Sequence, residues 1–390
     1  MNSLKKMTVC GLMSGTSLDG VDVAIVEFTP SLHGKIDYSL VYFNTIDYDE
    51  PLKEKLQDIV LPNSQSPAIS SMNMLLGEVF ADAVLETVEQ SGLTLSEIDL
   101  IASHGQTIFH EPERNVNDPH HRANTLQIGD ISVIAEKTGI PTIGDFRTRD
   151  VAVGGQGAPL VPFADYHLFR SDEVGRALIN IGGITNVTIL KKKATENDVI
   201  AYDTGPGNMM IDAFVHYYSN GKMSYDRNGE LASKGIVQEK WLDELMNHAY
   251  FSKDYPKSTG REEFGFDYAK KLWEEAAALN ISELDRIATI TALTARTLTK
   301  ELNEFIKTGH LHEVYVSGGG VHNEILLQLI NEDLMNDIEV KKVEELGMSS
   351  DAKEALVFAL LGFLGFQKQT NNLPQATGAN KAVIMGKISW

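Results

Sequence analysis

The sequence predicts an α/β protein of two domains, and three observations predict it. Residues 9–28 alternate as strand, small-residue turn and strand, and residues 176–190 repeat that plan. Each hairpin is followed by further strands and amphipathic helices, the pattern of a sheet covered by helices. The length of 390 residues is long for one core and fits two of ordinary size.

The elements follow in order. The opening hairpin leaves an apolar run at Val9 and resumes alternation at Val21, Val23 and Ile25. Between them lie Ser14, Gly15, Thr16, Ser17, Leu18, Asp19, Gly20, Val21 and Asp22. This stretch reads in two ways. It is a turn rich in turn-formers, or it is a cradle whose bare amides and hydroxyls wrap phosphate oxygens. In the second reading Asp19 offers a carboxylate to a Mg²⁺ carried by a nucleotide. Residues 35–46 alternate as a third strand. Residues 50–60 and 69–90 are helical, the latter with Met74, Leu75, Val79, Ala83 and Val84 on one face.

A short apolar strand over 98–103 ends in Ser103-His104-Gly105-Gln106-Thr107, and the carboxyl end of a buried strand is where open α/β sheets bind ligands. The segment 110–121 is loop-like, and its adjacent His120 and His121 read as solvated rather than metal-binding, since no cysteine or carboxylate stands at ligand spacing. A strand near 125, a helix over 131–138 and a strand over 141–144 lead to Asp145-Phe146-Arg147-Thr148-Arg149-Asp150 and then Gly154-Gly155-Gln156-Gly157. This composition shift is the expected interdomain crossing. Its arginines either grip an anion or pair with Asp145 and Asp150.

The second cycle starts with the hairpin around Gly182, Gly183 and Asn186, followed by a strand over 199–202 that runs into Asp203-Thr204-Gly205-Pro206-Gly207-Asn208. Asp203 is either a turn residue or a free carboxylate before a helix, with Asn208 expected to cap that helix. Residues 231–310 are mostly helical and are interrupted by a second basic loop, 257–261, which either covers an anion or is solvated. A strand over 314–316 enters Gly318-Gly319-Gly320, whose flat backbone suits a planar group such as adenine. Residues 351–365 form an apolar helix in which Asp351 and Glu354 are spaced as a capping pair, and residues 381–388 alternate as a terminal strand.

Composition narrows the function. Apolar residues make up 43% and charged residues 23%, as in globular proteins. The formal charge of −20 argues against nucleic acid as the main partner, because phosphate backbones need a basic surface. The single cysteine, Cys10, lies in an apolar run, forms no internal disulfide and suits a reducing cytoplasm. No apolar run reaches the roughly 18–20 residues of a membrane span, and the start lacks the pattern of a signal peptide. A soluble cytoplasmic protein without membrane contact is expected.

The order of these turns resembles the five ATPase motifs of the actin, hexokinase and acetate kinase superfamily. No Gly-x-x-x-x-Gly-Lys-[Ser/Thr] loop occurs. Within the superfamily, the runs 11–20, 103–107, 154–160, 180–183, 203–208 and 257–261 resemble the anhydro-N-acetylmuramic acid kinases, over essentially the whole chain. The histidine-bearing loop 113–122 departs from that pattern by its length. The resemblance implies two duplicated ribonuclease H-like domains closing on a nucleotide cleft, residues 1–149 with 379–390 and residues 150–378. It implies ATP and Mg²⁺ as cofactors, a muramic sugar as substrate and a homodimer as a compatible assembly.

It also implies roles. Asp203 matches the base that deprotonates a water, and Glu354 a position near the sugar. The hairpin 14–22, together with Gly182, Gly183, Asn186, Gly318, Gly319 and Gly320, would hold ATP, with Asp19 touching the metal. His104, Gln106, Arg149, Gly157 and Gly205 would contact substrate. Two rival expectations are an actin-like ATP-binding regulator without a sugar, and a phosphate-ester or glycosidic hydrolase.

Overall fold

The computed structural model describes residues 4–15, 17–30, 35–61, 63–115 and 117–390. The chain divides into two compact units. One comprises the chain through Leu168 together with Asp351–Trp390, and the other is Phe169–Ser350.

The first unit is built on strands β1 (Met7–Ser14), β2 (Gly20–Pro30), β3 (Ile36–Asp47), β4 (Leu100–Glu111), β5 (Asn124–Ile128) and β6 (Thr142–Gly144). The second holds β7 (Arg176–Ile181), β8 (Ile184–Leu190), β9 (Ile200–Pro206), β10 (Glu313–Ser317) and β11 (Val340–Lys342), and β12 (Lys387–Ser389) returns to the first. The sheet orders are β12-β6-β4-β1-β2-β3, with β5 on β4, and β11-β10-β7-β8-β9. In each, three antiparallel strands form a meander and the first of them pairs in parallel with a later strand. The mixed α/β architecture and its duplicated plan thus agree with the expectation.

Local chemistry explains the elements. Asp49 caps the helix Glu50–Ile59 by accepting from the Leu52 amide at 2.8 Å. The helix Ser66–Ser91 ends at Gly92 with φ 77°. It buries Met72, Leu76, Phe80, Val84 and Val88 against the sheet. Met74 and Leu75, expected on that face, are exposed instead. By length and mean hydropathy of 1.3 this helix would suffice to cross a bilayer, which corrects the expectation that no such stretch exists. Here its apolar face is a core face.

The apolar helix Lys353–Phe366 is buried nearly all round and packs on β1, β2 and β4. Glycines permit that contact: a Cβ on Gly11 would strike the Ala355 backbone, and one on Gly362 would strike Ala102. This packing explains why the units divide at 168/169 and 350/351 rather than at the expected 149/150 and 378/379. The glycine stretch is tied to the first unit as well. Asp150 is fully buried and accepts from the Gly157 amide, Asn372 Nδ2 and Thr377 Oγ1 at 2.8, 2.7 and 2.8 Å. Residues expected as a loop crossing form the helix Phe146–Ala152. The terminal strand is shorter than expected.

Candidate active site

In the first unit the opening hairpin is braced from beneath. The Ser14 hydroxyl is buried and meets Tyr48 OH at 2.7 Å, the Gly20 carbonyl at 3.3 Å and Gln106 Oε1. Gln106 is itself buried and donates to the Gly15 carbonyl at 3.0 Å. Both side chains, expected at a ligand, are turned inward and hold the turn's shape. Leu18, at φ 60°, and Val21 are buried in the sheet core, so only their backbone is left for a ligand. Thr16 lies outside the described residues. Ser17 donates to Asp19 at 2.6 Å, and Thr45 to Asp22 at 2.6 Å. Asp19 is exposed and Asp22 half-buried.

The strand expected to end at Ser103 runs on to Glu111, and within it the register with β1 slips, since Leu12 faces Ser103 while Ser14 faces Gln106. The additional residue lies at His104 and Gly105, and Gly105 has φ 78°. Bulges of this kind re-aim side chains. His104 is buried, packs on Phe358 with ring centroids 4.5 Å apart, and accepts at Nε2 from Arg147 Nε and Nη2 at 3.1 and 2.9 Å. Arginine only donates, so the ring proton sits on Nδ1. Burial, with help from Arg147, holds the imidazole pKa down to about 3. Arg147 also donates to the Gly157 carbonyl at 2.7 Å. Burial lowers its pKa to about 10, which leaves it a cation at neutral pH.

The two arginines therefore differ. Arg147 is oriented by His104 and Gly157, whereas Arg149 is exposed with no ion pair among the described residues. The alternative of pairing with Asp145 or Asp150 is not realised. Asp145 meets Lys387 and Thr148, and Asp150 takes neutral donors.

Asp22 and Arg147 both act on Glu354. Burial raises the Asp22 carboxyl, Thr45 opposes that, and Asp19 and Asp351 add to the rise. Glu354 is solvent-accessible at its surface yet crowded by protein. That crowding and Asp22 raise its carboxyl, while Arg147 and Lys353 pull it down. The expected capping role is not made: Ala352 precedes the helix without a side-chain cap, and Glu354 has no hydrogen bond among the described residues. A cavity of about 650 Å³ opens beside the bulge of β4 and the end of β6, lined by His104, Gln127, Asp145, Thr148 and Lys387.

In the second unit the Gly182-Gly183 turn joins β7 to β8. Its carbonyls accept the amides of Gly207, Asn208 and Met209 at 2.9, 2.8 and 3.2 Å. The helix Asn208–Ser219 thus begins with its first amides already satisfied. Asn208 does not cap it, but donates to the Ile181 carbonyl at 3.2 Å. A Cβ placed on Gly15, Gly182 or Gly319 would meet no protein atom closer than 3.6, 3.5 and 3.6 Å. Protein packing does not demand glycine there, and the space left suits a close ligand. Gly20 and Gly320 differ, because a Cβ would strike the Ile46 carbonyl or Ile181. At Gly183 the nearest atom is the flexible end of Met209, at 3.2 Å, and Gly318 adopts φ 82°.

Asp203 lies within β9 directly opposite Asn186, so the two side chains share a face of the sheet. The register slips between Thr185 and Asn186, which places a bulge at Thr204. Asp203 Oδ2 accepts from Ser258 Oγ and from the Thr259 amide, both at 3.0 Å. Its own amide donates to the Lys257 carbonyl at 3.1 Å, and its carbonyl accepts from Tyr250 OH at 2.7 Å. Burial raises the carboxyl, the Thr259 and Ser258 donors oppose that, and Glu262 adds to the rise. Gly205 is confined by Phe251. A second cavity, of about 850 Å³, borders Val321 and His322 beyond the glycine turn. Its charged lining is mostly acidic, with Glu324, Glu332, Asp337 and Glu339 against Lys342.

The family model described as anhydro-N-acetylmuramic acid kinase matches residues 7–390. The chain belongs to the anhydro-N-acetylmuramic acid kinase family. One relative of that name, from Caldanaerobacter subterraneus subsp. tengcongensis, is 47% identical over 384 residues, covering 98% of this chain and 96% of the relative. Another, from Bacillus cereus (strain ATCC 10987 / NRS 248), is 40% identical over 390 residues, covering 98% and 99%. Among solved structures, the (R)-2-hydroxyglutaryl-CoA dehydratase component A of Acidaminococcus fermentans aligns over 92% of this chain and 98% of its own, at 12% identity and TM-score 0.44. The sequence offers both arginines as an anion grip and its resemblance favours Arg149, whereas Arg147 is the one that His104 and Gly157 orient. The signal for it was the spacing of Phe146, Arg147 and Asp150 on one helical face.

Proposed function

We propose that this protein is an ATP-dependent kinase that hydrolytically opens the ring of 1,6-anhydro-N-acetylmuramic acid and phosphorylates O6. Membership of the anhydro-N-acetylmuramic acid kinase family across residues 7–390 carries this reading. The products are N-acetylmuramic acid 6-phosphate and ADP, formed in the recycling of cell-wall sugars in the cytoplasm.

Each residue has a task in that reaction. Water is a weak nucleophile, so a carboxylate must take its proton as it attacks C1. Asp203 is the base, and its Oδ1, without a partner among the described residues, is the oxygen that receives the proton. The C1–O6 bond breaks as the new C1–O bond forms, and O6 becomes bonded to the γ-phosphorus while the bond from that phosphorus to the β–γ bridging oxygen breaks and ADP leaves. Glu354 orients water or sugar. Arg147, rather than Arg149, holds the lactyl carboxylate, because its guanidinium is already aimed by His104 and Gly157. The cavity beside His104 has a volume suited to a monosaccharide.

In the second unit Gly182 and Gly319 would take phosphates and Gly318, Gly319 and Gly320 adenosine; in the first unit, taken by itself, Gly15 offers bare backbone to a phosphate. Among the described residues no three His, Cys, Asp or Glu side chains gather as a metal cluster. Asp19 or Asp22 would hold a Mg²⁺ arriving with the nucleotide, since Mg²⁺ is typically held by one or two carboxylates plus phosphates. When bound, the ion neutralises charge on the transferred group.

The test is to incubate the protein with Mg-ATP and the anhydro sugar in ¹⁸O-water. The expected product is a 6-phosphosugar with the label at C1. Opened sugar without phosphate would replace the kinase with a hydrolase. ATP turnover indifferent to sugar would replace it with a nucleotide-driven regulator.

A further inference from the structure

The sequence presents residues 257–261 as a basic loop that covers an anion or is solvated, but its lysine faces neither. Lys257 is buried and its Nζ lies 2.7 Å from Glu301 Oε1, with the Tyr202 and Tyr250 ring centroids at 5.7 and 5.3 Å. Tyr202 OH donates to the other Glu301 oxygen at 3.2 Å. Both members of the ion pair are thereby partnered, as a buried pair must be to persist. Tyr202 precedes Asp203 in β9, and Tyr250 donates to the Asp203 carbonyl. The lysine thus stands between the strand that carries the base and the helix Glu283–Lys307 that carries Glu301. The loop continues directly from this anchor to Ser258 and Thr259, whose hydroxyl and amide both reach Asp203 Oδ2. Thr259 is tied in turn, its hydroxyl donating to Glu263 at 3.0 Å.

We propose that Lys257 and Ser258 are positioning residues for Asp203. The buried lysine–glutamate pair fixes the loop, and the loop grips one carboxylate oxygen, leaving the other for the reacting water. This deepens the kinase reading and rests on it for the identity of the base. The grip on Asp203 does not depend on that identity. Lys257, Ser258 and Thr259 thereby serve the base, while Arg261 at the end of the loop stays exposed outside this grip. The loop's donors favour the ionised carboxyl against burial and Glu262, while Tyr250 donates only to the backbone oxygen.

The test reads Asp203 directly. With ¹³C-labelled aspartate, the Asp203 carboxyl signal is assigned by its loss in Asp203→Asn and titrated in the intact protein. Ser258→Ala removes an exposed hydroxyl without opening the core, and the Asp203 midpoint should rise by about one pH unit. Glu301→Gln keeps the shape but loosens the anchor, and should raise the midpoint by a similar amount. Lys257→Arg, which keeps the cation beside Glu301, should leave the midpoint near the wild-type position. The acid limb of kcat/KM for the anhydro sugar should move up in step, with activity recovered at high pH. An Asp203 midpoint unmoved in both Ser258→Ala and Glu301→Gln overturns the proposal. If the midpoint moves while the wild-type protein forms no phosphosugar, the positioning stands and the kinase reading fails.

Discussion

Asp203 and Glu354 are both carboxylates raised by burial, and they are held in opposite ways. Asp203 sits mid-strand, bolted by backbone bonds on both sides, with two donors on one oxygen. Glu354 stands in the first turn of a helix without a hydrogen bond among the described residues, and its neighbours act on it through charge: Asp22 one way, Arg147 and Lys353 the other. Hydrogen bonds fix direction as well as protonation. Fields set protonation alone, and salt weakens them. A proton acceptor in a bond-making step needs direction, whereas a group that orients water tolerates movement.

The largest expected effect is that of Asp203→Asn. Loss of a general base should lower kcat by about 10³-fold, while ATP affinity measured by calorimetry stays within about twofold of wild type. Next is Glu354→Gln, with a loss of about 10- to 100-fold, since water is still available but less well held. A loss equal to that of Asp203→Asn would assign the base to the helix and invert the comparison.

Arg147→Met should cost roughly tenfold in kcat/KM and should raise the Glu354 titration, because it removes a charge that lowers it. Arg149→Met should change kcat/KM less than about threefold, as expected of an exposed, unpaired side chain. If Arg149→Met were the more damaging, the fixed guanidinium would not be the substrate's anchor.

Stability gives a finer test. A carboxyl raised in the folded state binds protons that the unfolded chain has already released. Its favourable contribution is therefore complete at low pH and is lost as pH rises through the raised value. Asp203→Asn and Glu354→Gln remove that loss. Each should melt above wild type near pH 8, and the gain should vanish at acidic pH in a calorimetric scan. Asp351→Asn should act least: it reaches Asp22 only through charge, so kcat should change less than about twofold at 0.15 M salt and more at low salt.

Much of this was legible in the sequence. Alternation located β7 to the residue and β3 to within about one residue, because half-buried strands write their period plainly. The repeated strand–turn–strand plan announced the duplicated topology. What stayed hidden was direction. A serine or glutamine at a strand end reads the same whether it faces a ligand or the core, and Ser14 and Gln106 face each other. Arg147 and Arg149 looked alike until the stretch became a helix, which turns them to different sides. The spacing of Asp351 and Glu354 matched a capping pair, but Ala352 occupies the helix entry. Asn208 matched a cap, but neighbouring carbonyls had already met the amides. Tertiary partners, not local pattern, decided each of these.

The first unit is discontinuous, and this bears on how the chain is made. The second unit is one unbroken segment, Phe169–Ser350, and can fold as soon as it emerges from the ribosome. The first cannot, because β1, β2 and β4 lack the helix Lys353–Phe366 until the chain beyond the second unit is made. The hairpin read as the phosphate cradle is translated before the second unit and completed after it. Its strands wait with an uncovered apolar face while the second unit is made. A chain interrupted before that helix would release a second unit with all its residues and a first unit with half a core, and proteases would distinguish the two.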